Sequence, residues 1–249
     1  MPFSSLGFSP ELLPVLQRAL QEQGYAAPTI IHVQAIPLIL QNQDVLASAQ
    51  TGSGKTATFV LPLLQQFAQA TDKPPRRLRS LVLVPTRELA AQVGETFNRL
   101  AKHLPRRIKV SAVFGGVSIN PQMIDLRWGA DVVVATPGRL LDLLDNNALS
   151  LAQVQTLVLD EADRLLDLGF GEELGRILAL LPRKRQTSLF SPTFPPAIEA
   201  LAGNLLHLPQ RIEVQGTAQA APDIQQRAIE VDAVQRTQLL RQLIQQEGW

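Results

Sequence analysis

Cysteine is missing from all 249 residues. Disulfides, thiolate zinc sites and a cysteine nucleophile are thereby excluded. Aromatics are scarce, at 5% with one Tyr and two Trp, so few rings exist to stack on a ligand. No apolar run approaches the ~18 residues needed to cross a bilayer. The opening Met1-Pro2-Phe3-Ser4-Ser5 lacks the basic stretch and apolar segment of a secretory signal, and a cytoplasmic protein is expected. Neither sign of charge dominates: 23 Lys and Arg stand against 22 Asp and Glu, a net +1 with His neutral. Any contact with nucleic acid must therefore come from local groups rather than from a bulk field. His103 and His207 stand at no ligand spacing from a carboxylate or another histidine, which speaks against a histidine metal site.

What the chain does have is a series of short β-branched runs: Val45 to Ala47, Ser80 to Val84, Val110 to Phe114, Val132 to Val134, Thr156 to Leu159 and Thr187 to Phe190. These read as strands buried on both faces. Between them, Leu89 to Leu100 and Leu174 to Leu181 carry apolar residues at helical spacing, so the pattern predicts an α/β fold, a doubly wound parallel sheet flanked by helices. Residues Gly216 to Pro222 are small and polar, as in a linker. They are followed by a strand-like Ala228 to Val231 and a helix over Gln235 to Gln246. The expected segments are 1–33 (N-terminal helix and base-reading segment), 34–215 (main domain) and 216–249 (linker and the start of a further domain).

The strongest local signal is Ala49-Gln50-Thr51-Gly52-Ser53-Gly54-Lys55-Thr56, after the first strand and opening a helix. Gly52 and Gly54 let the backbone turn its N–H groups onto phosphate oxygens, and the helix N-terminus adds positive dipole. Lys55 supplies a point charge for the β- and γ-phosphates, and the Thr56 hydroxyl a ligand for Mg²⁺. Ala49 stands where a P-loop usually has its first Gly. A second strand, Leu157-Val158-Leu159, delivers Asp160 and Glu161 at its C-terminal end, where ligands of open α/β sheets collect. Asp160 suits a metal held partly through water, and Glu161 the orientation and deprotonation of an attacking water. Mg-ATP is the expected ligand.

Asp160-Glu161-Ala162-Asp163 spells DEAD, and other segments resemble the DEAD-box RNA helicase family in order: Pro85-Thr86-Arg87-Glu88-Leu89-Ala90, Gly115-Gly116 and Thr136-Pro137-Gly138-Arg139. The resemblance covers nearly the whole chain and is closest to the bacterial RhlE-like branch over Phe114 to Met123. It implies a RecA-like P-loop domain, with a second RecA-like domain needed for hydrolysis and unwinding. It implies an RNA backbone held by Arg87, Gly115, Gly116, Thr136, Gly138 and Arg139. Glycines there expose N–H groups to phosphates, Thr donates a hydroxyl and Arg a fork. It also assigns Tyr25 and position 32 to the adenine, and Ser191, Thr193 and Asp163 to coupling between ATP and RNA.

Two positions depart from the family. His32 stands in place of its adenine-reading Gln, and Pro192 interrupts its Ser-Ala-Thr triplet. An imidazole's two nitrogens diverge and cannot both meet one adenine edge. Another P-loop ATPase or GTPase is disfavoured, since neither Asn-Lys-x-Asp nor Ser-Gly-Gly-Gln occurs. A nucleotide-dependent RNA-binding or scaffold protein without turnover remains a second reading. Arg76, Arg77, Arg79 and Arg183-Lys184-Arg185 read as solvated loops, and Trp128 and Trp249 as packing residues.

Overall fold

The computed structural model describes residues 2–50, 52–69, 76–214 and 227–247. Two helices, α1 (Leu13–Glu22) and α2 (Ile30–Leu40), precede β1 (Val45–Ser48), α3 (Lys55–Ala68), β2 (Ser80–Leu83), α4 (Arg87–Leu100) and β3 (Val110–Val113). Then come α5 (Asn120–Leu126), β4 (Val132–Ala135), α6 (Pro137–Asp145), β5 (Thr156–Leu159), α7 (Ala162–Asp167) and α8 (Gly171–Leu180). β6 (Gln186–Ser191), α9 (Pro196–Leu205) and β7 (Gln210–Glu213) follow, and α10 (Arg236–Glu247) is the last element.

The strands form one parallel sheet in the order β3-β4-β2-β5-β6-β1-β7. Side chains alternate across it, as the two-residue strand period requires. Val82 and Val84 pack with Leu16, Ile36, Phe59 and Phe97 of α1 to α4. Leu81 and Leu83 pack on the opposite face with Leu140, Leu165, Leu174 and Ile198 of α6 to α9. Both faces are therefore covered, the arrangement that hydrophobic runs such as Val132-Val133-Val134 demand. At the centre of the first layer Phe59 meets Phe190 and Phe97, with ring centroids 5.5 and 6.5 Å apart. A buried carboxylate ties the bottom of the sheet: Asp44 accepts hydrogen bonds from the Thr187 and His207 N–H groups, both at 2.7 Å.

The structure departs from the sequence reading at four places. β3 is an edge strand, with Val110 and Ala112 only half-buried rather than enclosed on both faces. β7 carried no sequence signal, because Ile212 is its one buried side chain. Arg211 on that strand pairs with Glu199 at 2.8 Å and Glu213 at 2.6 Å. Residues 228–231 are irregular, not a strand, since a lone extended segment has no ladder to join. The expected boundary at 33/34 falls inside α2, whose Ile31, Ala35 and Ile36 share one core.

The chain divides into two compact units, 1–215 and 216–249. The second contains α10, and the linker expected at 216–222 lies outside the described residues. Among the described residues no helix is long and apolar enough to cross a membrane.

Candidate functional site

β1 delivers Ala49, buried, and Gln50, exposed, into the loop that leads to α3. Gly52 and Gly54 take φ of 84° and 98°, values open to glycine at little cost. Thr51 lies outside the described residues. The buried Lys55 opens α3, and its Nζ donates to the Ala49 carbonyl at 2.7 Å. The ammonium thus rests on the loop's own backbone, a bond a phosphate oxygen can replace. Thr56 stays partly open to solvent, and Ser53 Oγ is buried without a partner.

Asp160 ends β5, separated from β1 by β6 alone. It is 2% exposed. Burial pushes its carboxyl up to about 6, with Glu161 and Asp163 adding to the rise and Lys55 opposing it. A buried acid among acids is a site that gains from a cation, and its carboxylate oxygens, like the partly exposed Thr56 hydroxyl on the first turn of α3, are hard donors of the kind Mg²⁺ takes. Glu161 has φ 51° and ψ 53°, a left-handed conformation costing about 1–3 kcal/mol for a non-glycine residue. Its carboxylate reaches Arg164 at 3.4 Å. Thr193 Oγ1 approaches Asp163 at 3.4 Å, and Ser191 Oγ is buried and unpaired. The Pro192 carbonyl accepts from Ser48 Oγ at 2.8 Å, which joins the end of β6 to the end of β1.

The start of α2 holds the loop between β1 and α3. Thr29 is its N-cap, and His32, three residues on, closes a capping box. His32 Nδ1 accepts the Thr29 N–H at 3.0 Å, so the proton sits on Nε2, which donates to the Gly54 carbonyl at 2.9 Å. Thr29 Oγ1 donates to the Ser53 carbonyl at 2.7 Å. The two adjacent carbonyls of the loop are therefore both fastened to one helix end. A Cβ at Gly54 would lie 2.6 Å from His32 Nε2, so the ring fills the space that glycine leaves. Both ring nitrogens are used, and neither is left for a base. Burial lowers the His32 pKa, with the Gly54 carbonyl acting in the opposite direction. Tyr25, half-buried, stands edge-on to this ring at 6.4 Å. The role of Thr29 was missed in the sequence, although the Thr-x-x-His spacing is that of a capping box.

A second face lies at the same ends of β2, β3 and β4. Thr86 caps α4 by accepting the Leu89 N–H at 3.2 Å, which sets Arg87 on the first turn, exposed and paired with Glu88. Gly116, at φ 79°, lies against Arg87, with its open Cβ position 3.6 Å from Nη1. The buried Thr136 precedes α6, and Gly138 has open space around it. Arg139 is buried and donates from Nη2 to the Val117 carbonyl at 2.7 Å, tying this turn to the loop after Gly115-Gly116. Its Nε and Nη1 are buried without hydrogen bonds. Asp142 at 3.5 Å from Nε is close enough for attraction but too far for a good hydrogen bond. Arg87 and Gly116 are thus neighbours, and Arg139 reaches the loop that holds Gly115 and Gly116, while Thr136 and Gly138 lie on the turn that begins α6.

The profile of the DEAD/DEAH box helicase family matches residues 29–201. The chain is 43% identical over 229 residues to the ATP-dependent RNA helicase DeaD of Mycobacterium tuberculosis, covering 92% of this chain and 39% of that protein. It is 41% identical to the DeaD protein of Escherichia coli, over 99% of this chain and 38% of that one. The chain thus spans about two fifths of the length of the curated relatives it matches. A crystal structure of a DEAD box protein from the hyperthermophile Methanococcus jannaschii superimposes with a TM-score of 0.78 at 33% identity, covering 98% of this chain and 63% of that chain.

Proposed function

We propose, from the premise that the chain belongs to the DEAD/DEAH box helicase family, that it is the ATP-binding motor domain of an ATP-dependent RNA helicase. What supports this is that the Lys55 ammonium acts electrostatically on the buried Asp160, while Arg87 lies against Gly116 and Arg139 ties the turn after β4 to the same loop. The loop from Ala49 to Thr56 cradles the phosphates, and Lys55 moves from its Ala49 carbonyl onto them. Asp160, partly through water, and Thr56 would hold Mg²⁺, which supplies charge neutralisation at the β- and γ-oxygens. Glu161 orients water and takes its proton. Thr136 and Gly138 complete the contact with the RNA backbone, while Ser191, Thr193 and Asp163 connect it to the nucleotide. A second RecA-like domain completes the site, and the setting is cytoplasmic. The RhlE-like branch is favoured by the Phe114 to Met123 segment, where Gln122 clasps the Phe114 N–H and carbonyl.

Calorimetry with Mg-ATP tests the reading. Each hydrogen bond to a charged group is worth about 1.5–3 kcal/mol, so Lys55→Ala, losing two or more, should weaken binding at least a hundredfold. Equal affinity would sink the proposal. A stable ATP complex with RNA binding but no turnover in a protein that has both domains would favour the scaffold reading instead.

The capping geometry of His32 adds a second expectation. With both ring nitrogens engaged and Tyr25 indifferent to which purine it stacks on, ATP and GTP should bind within about tenfold of each other. A side-chain contact to two base atoms gives roughly 1–3 kcal/mol of discrimination. His32→Gln retains a capping-box residue and adds an amide donor, so it should widen the gap. Competition binding decides, and a wild-type preference above a hundredfold for ATP would contradict the assignment. The pH dependence has a definite sign. The folded pKa lies below the free value, so the unfolded chain binds the proton more readily, and stability falls as pH drops through about 6.5. Protonation also turns Nδ1 into a donor facing the Thr29 N–H. The raised Asp160 contributes with the opposite sign, so the readout is the difference in melting temperature between wild type and His32→Gln. That difference should change between pH 7.5 and 5.5.

A further inference from the structure

All seven strands point the same way, so the segments that enter them lie along one edge, opposite the phosphate loop and the Arg87 face. Arg106, Arg107 and Lys109 enter β3, Arg127 precedes β4, and Arg76, Arg77 and Arg79 enter β2. Arg183, Lys184 and Arg185 enter β6. Among the described residues these lead-in segments, taken with that of β1, hold ten of the chain's 23 Lys and Arg, and two carboxylates, Asp44 and Asp131. Both acids are buried: Asp44 is bound to backbone N–H groups, and Asp131 to Arg76 and Arg106 at 2.9 and 3.0 Å. Lys109 pairs with the exposed Asp125 at the end of α5, and the near-neutral total still conceals a cationic edge. In sheet order the cations run from β3 through β4 and β2 to β6, four strand steps or about 19 Å, with uncharged Gln153 and Gln155 at β5. Arg107, Arg127, Arg183 and Lys184 are exposed.

An exposed aromatic stands in this row. Trp128 is 75% exposed, with the Arg127 guanidinium 5.9 Å from its ring centre, so it does not pack as the sequence suggested. The turn that presents it is fixed. Gly129 has φ 72°, and a Cβ there would fall 2.2 Å from the Arg76 carbonyl oxygen, so the loop is seated directly on the segment entering β2. Beside it a cavity of about 260 Å³ opens between Arg76, Arg77 and Gln153. A second, of about 580 Å³, lies between Arg79, Gln155, Lys184 and Arg185.

We propose that this edge is a second RNA-binding surface, separate from the Arg87 face, in which the cationic row follows the phosphates of a single strand and Trp128 stacks on a base. Positive grooves combined with exposed rings are the means by which proteins hold single strands without reading sequence. An acidic protein would satisfy the charges but leaves the exposed ring unexplained. The length of α4, 14 residues or roughly 21 Å, separates the two faces, so the strand bound here is a flanking portion of a longer RNA or a second molecule.

The test uses the 249-residue chain and a fluorescein-labelled 20-nucleotide oligouridine, with anisotropy read over a range of salt. In the variant Trp128→Ala/Arg183→Gln/Lys184→Gln all three side chains replaced are exposed, and an unchanged melting temperature verifies the fold. Affinity at low salt should fall about tenfold. The slope of log K against log salt should shrink by about 1.4, for two phosphate contacts at roughly 0.7 each. In a Trp249→Phe background Trp128 is the remaining tryptophan, and RNA should quench it. Unchanged affinity and slope, absence of quenching, or equal competition by polyglutamate would each overturn the proposal, the last in favour of an acidic protein. Because Arg87→Ala is measured in parallel, failure of the family face and failure of this edge give different results.

Discussion

The 249-residue chain alone is expected to hydrolyse ATP about 10³–10⁵ times more slowly than the same chain joined to a second RecA-like domain, the range by which stimulating arginines act in phosphoryl transfer. The physical basis is visible in the charges near the phosphate loop. Lys55 is the cation that acts on Asp160, against Glu161 and Asp163, so charge developing on the γ-phosphate has little positive counterpart from this chain beyond the metal. Glu161 is partly exposed at the end of the sheet, where water also screens what field there is. Steady-state phosphate release with saturating RNA, compared between the two proteins, measures the ratio. Unwinding by the chain alone, or a ratio under about ten, would show that the described residues already form a complete catalytic centre.

In the joined protein, Glu161→Gln should lower turnover by about 10²–10⁴, the usual contribution of a positioned general base, and leave Mg-ATP affinity within about threefold. The amide keeps the shape and loses the proton acceptor. The backbone makes a further distinction possible. Glu161 is held left-handed between β5 and α7, and glycine accepts that conformation without strain. Glu161→Gly should therefore be equally inactive but melt higher, by about 2–4 °C for each kcal/mol relieved in a chain of this size. Inactive variants with no gain in melting temperature would mean that contacts of the carboxylate, such as that with Arg164, offset the strain. Full activity in Glu161→Gln would remove it from the reaction.

Strands with dense β-branched runs were legible in the sequence because enclosure on both faces leaves an uninterrupted apolar signature. β7 was illegible for the same reason in reverse: Gln-Arg-Ile-Glu buries one side chain, and only the pairing of Val45 to Ser48 with Gln210 to Glu213 makes it a strand. The Ala49 to Thr56 loop and the Asp160-Glu161 pair could be singled out in the sequence because each is one short run of residues directly after an apolar strand. The tie between Thr29, His32 and the loop was not, since it joins residues more than twenty positions apart through carbonyls that no side-chain pattern encodes. Nor could the sequence show that separate basic clusters, each ordinary alone, come to lie along one edge. That depends on every strand being parallel.

An open sheet has two free edges, and each presents unpaired backbone groups to any passing chain. β7 is short and exposes Gln210, Arg211 and Glu213, and the Arg211 pairs with Glu199 and Glu213 keep charge along its rim. At the far side β3 is bordered by Lys109, which contacts Asp125, while Ser111 bonds to the same carboxylate. Desolvating those charges is the penalty for adding a strand from another molecule at either end. The ion pairs that contribute little to folding thus act between molecules, against edge-to-edge association of a sheet that the described residues leave open.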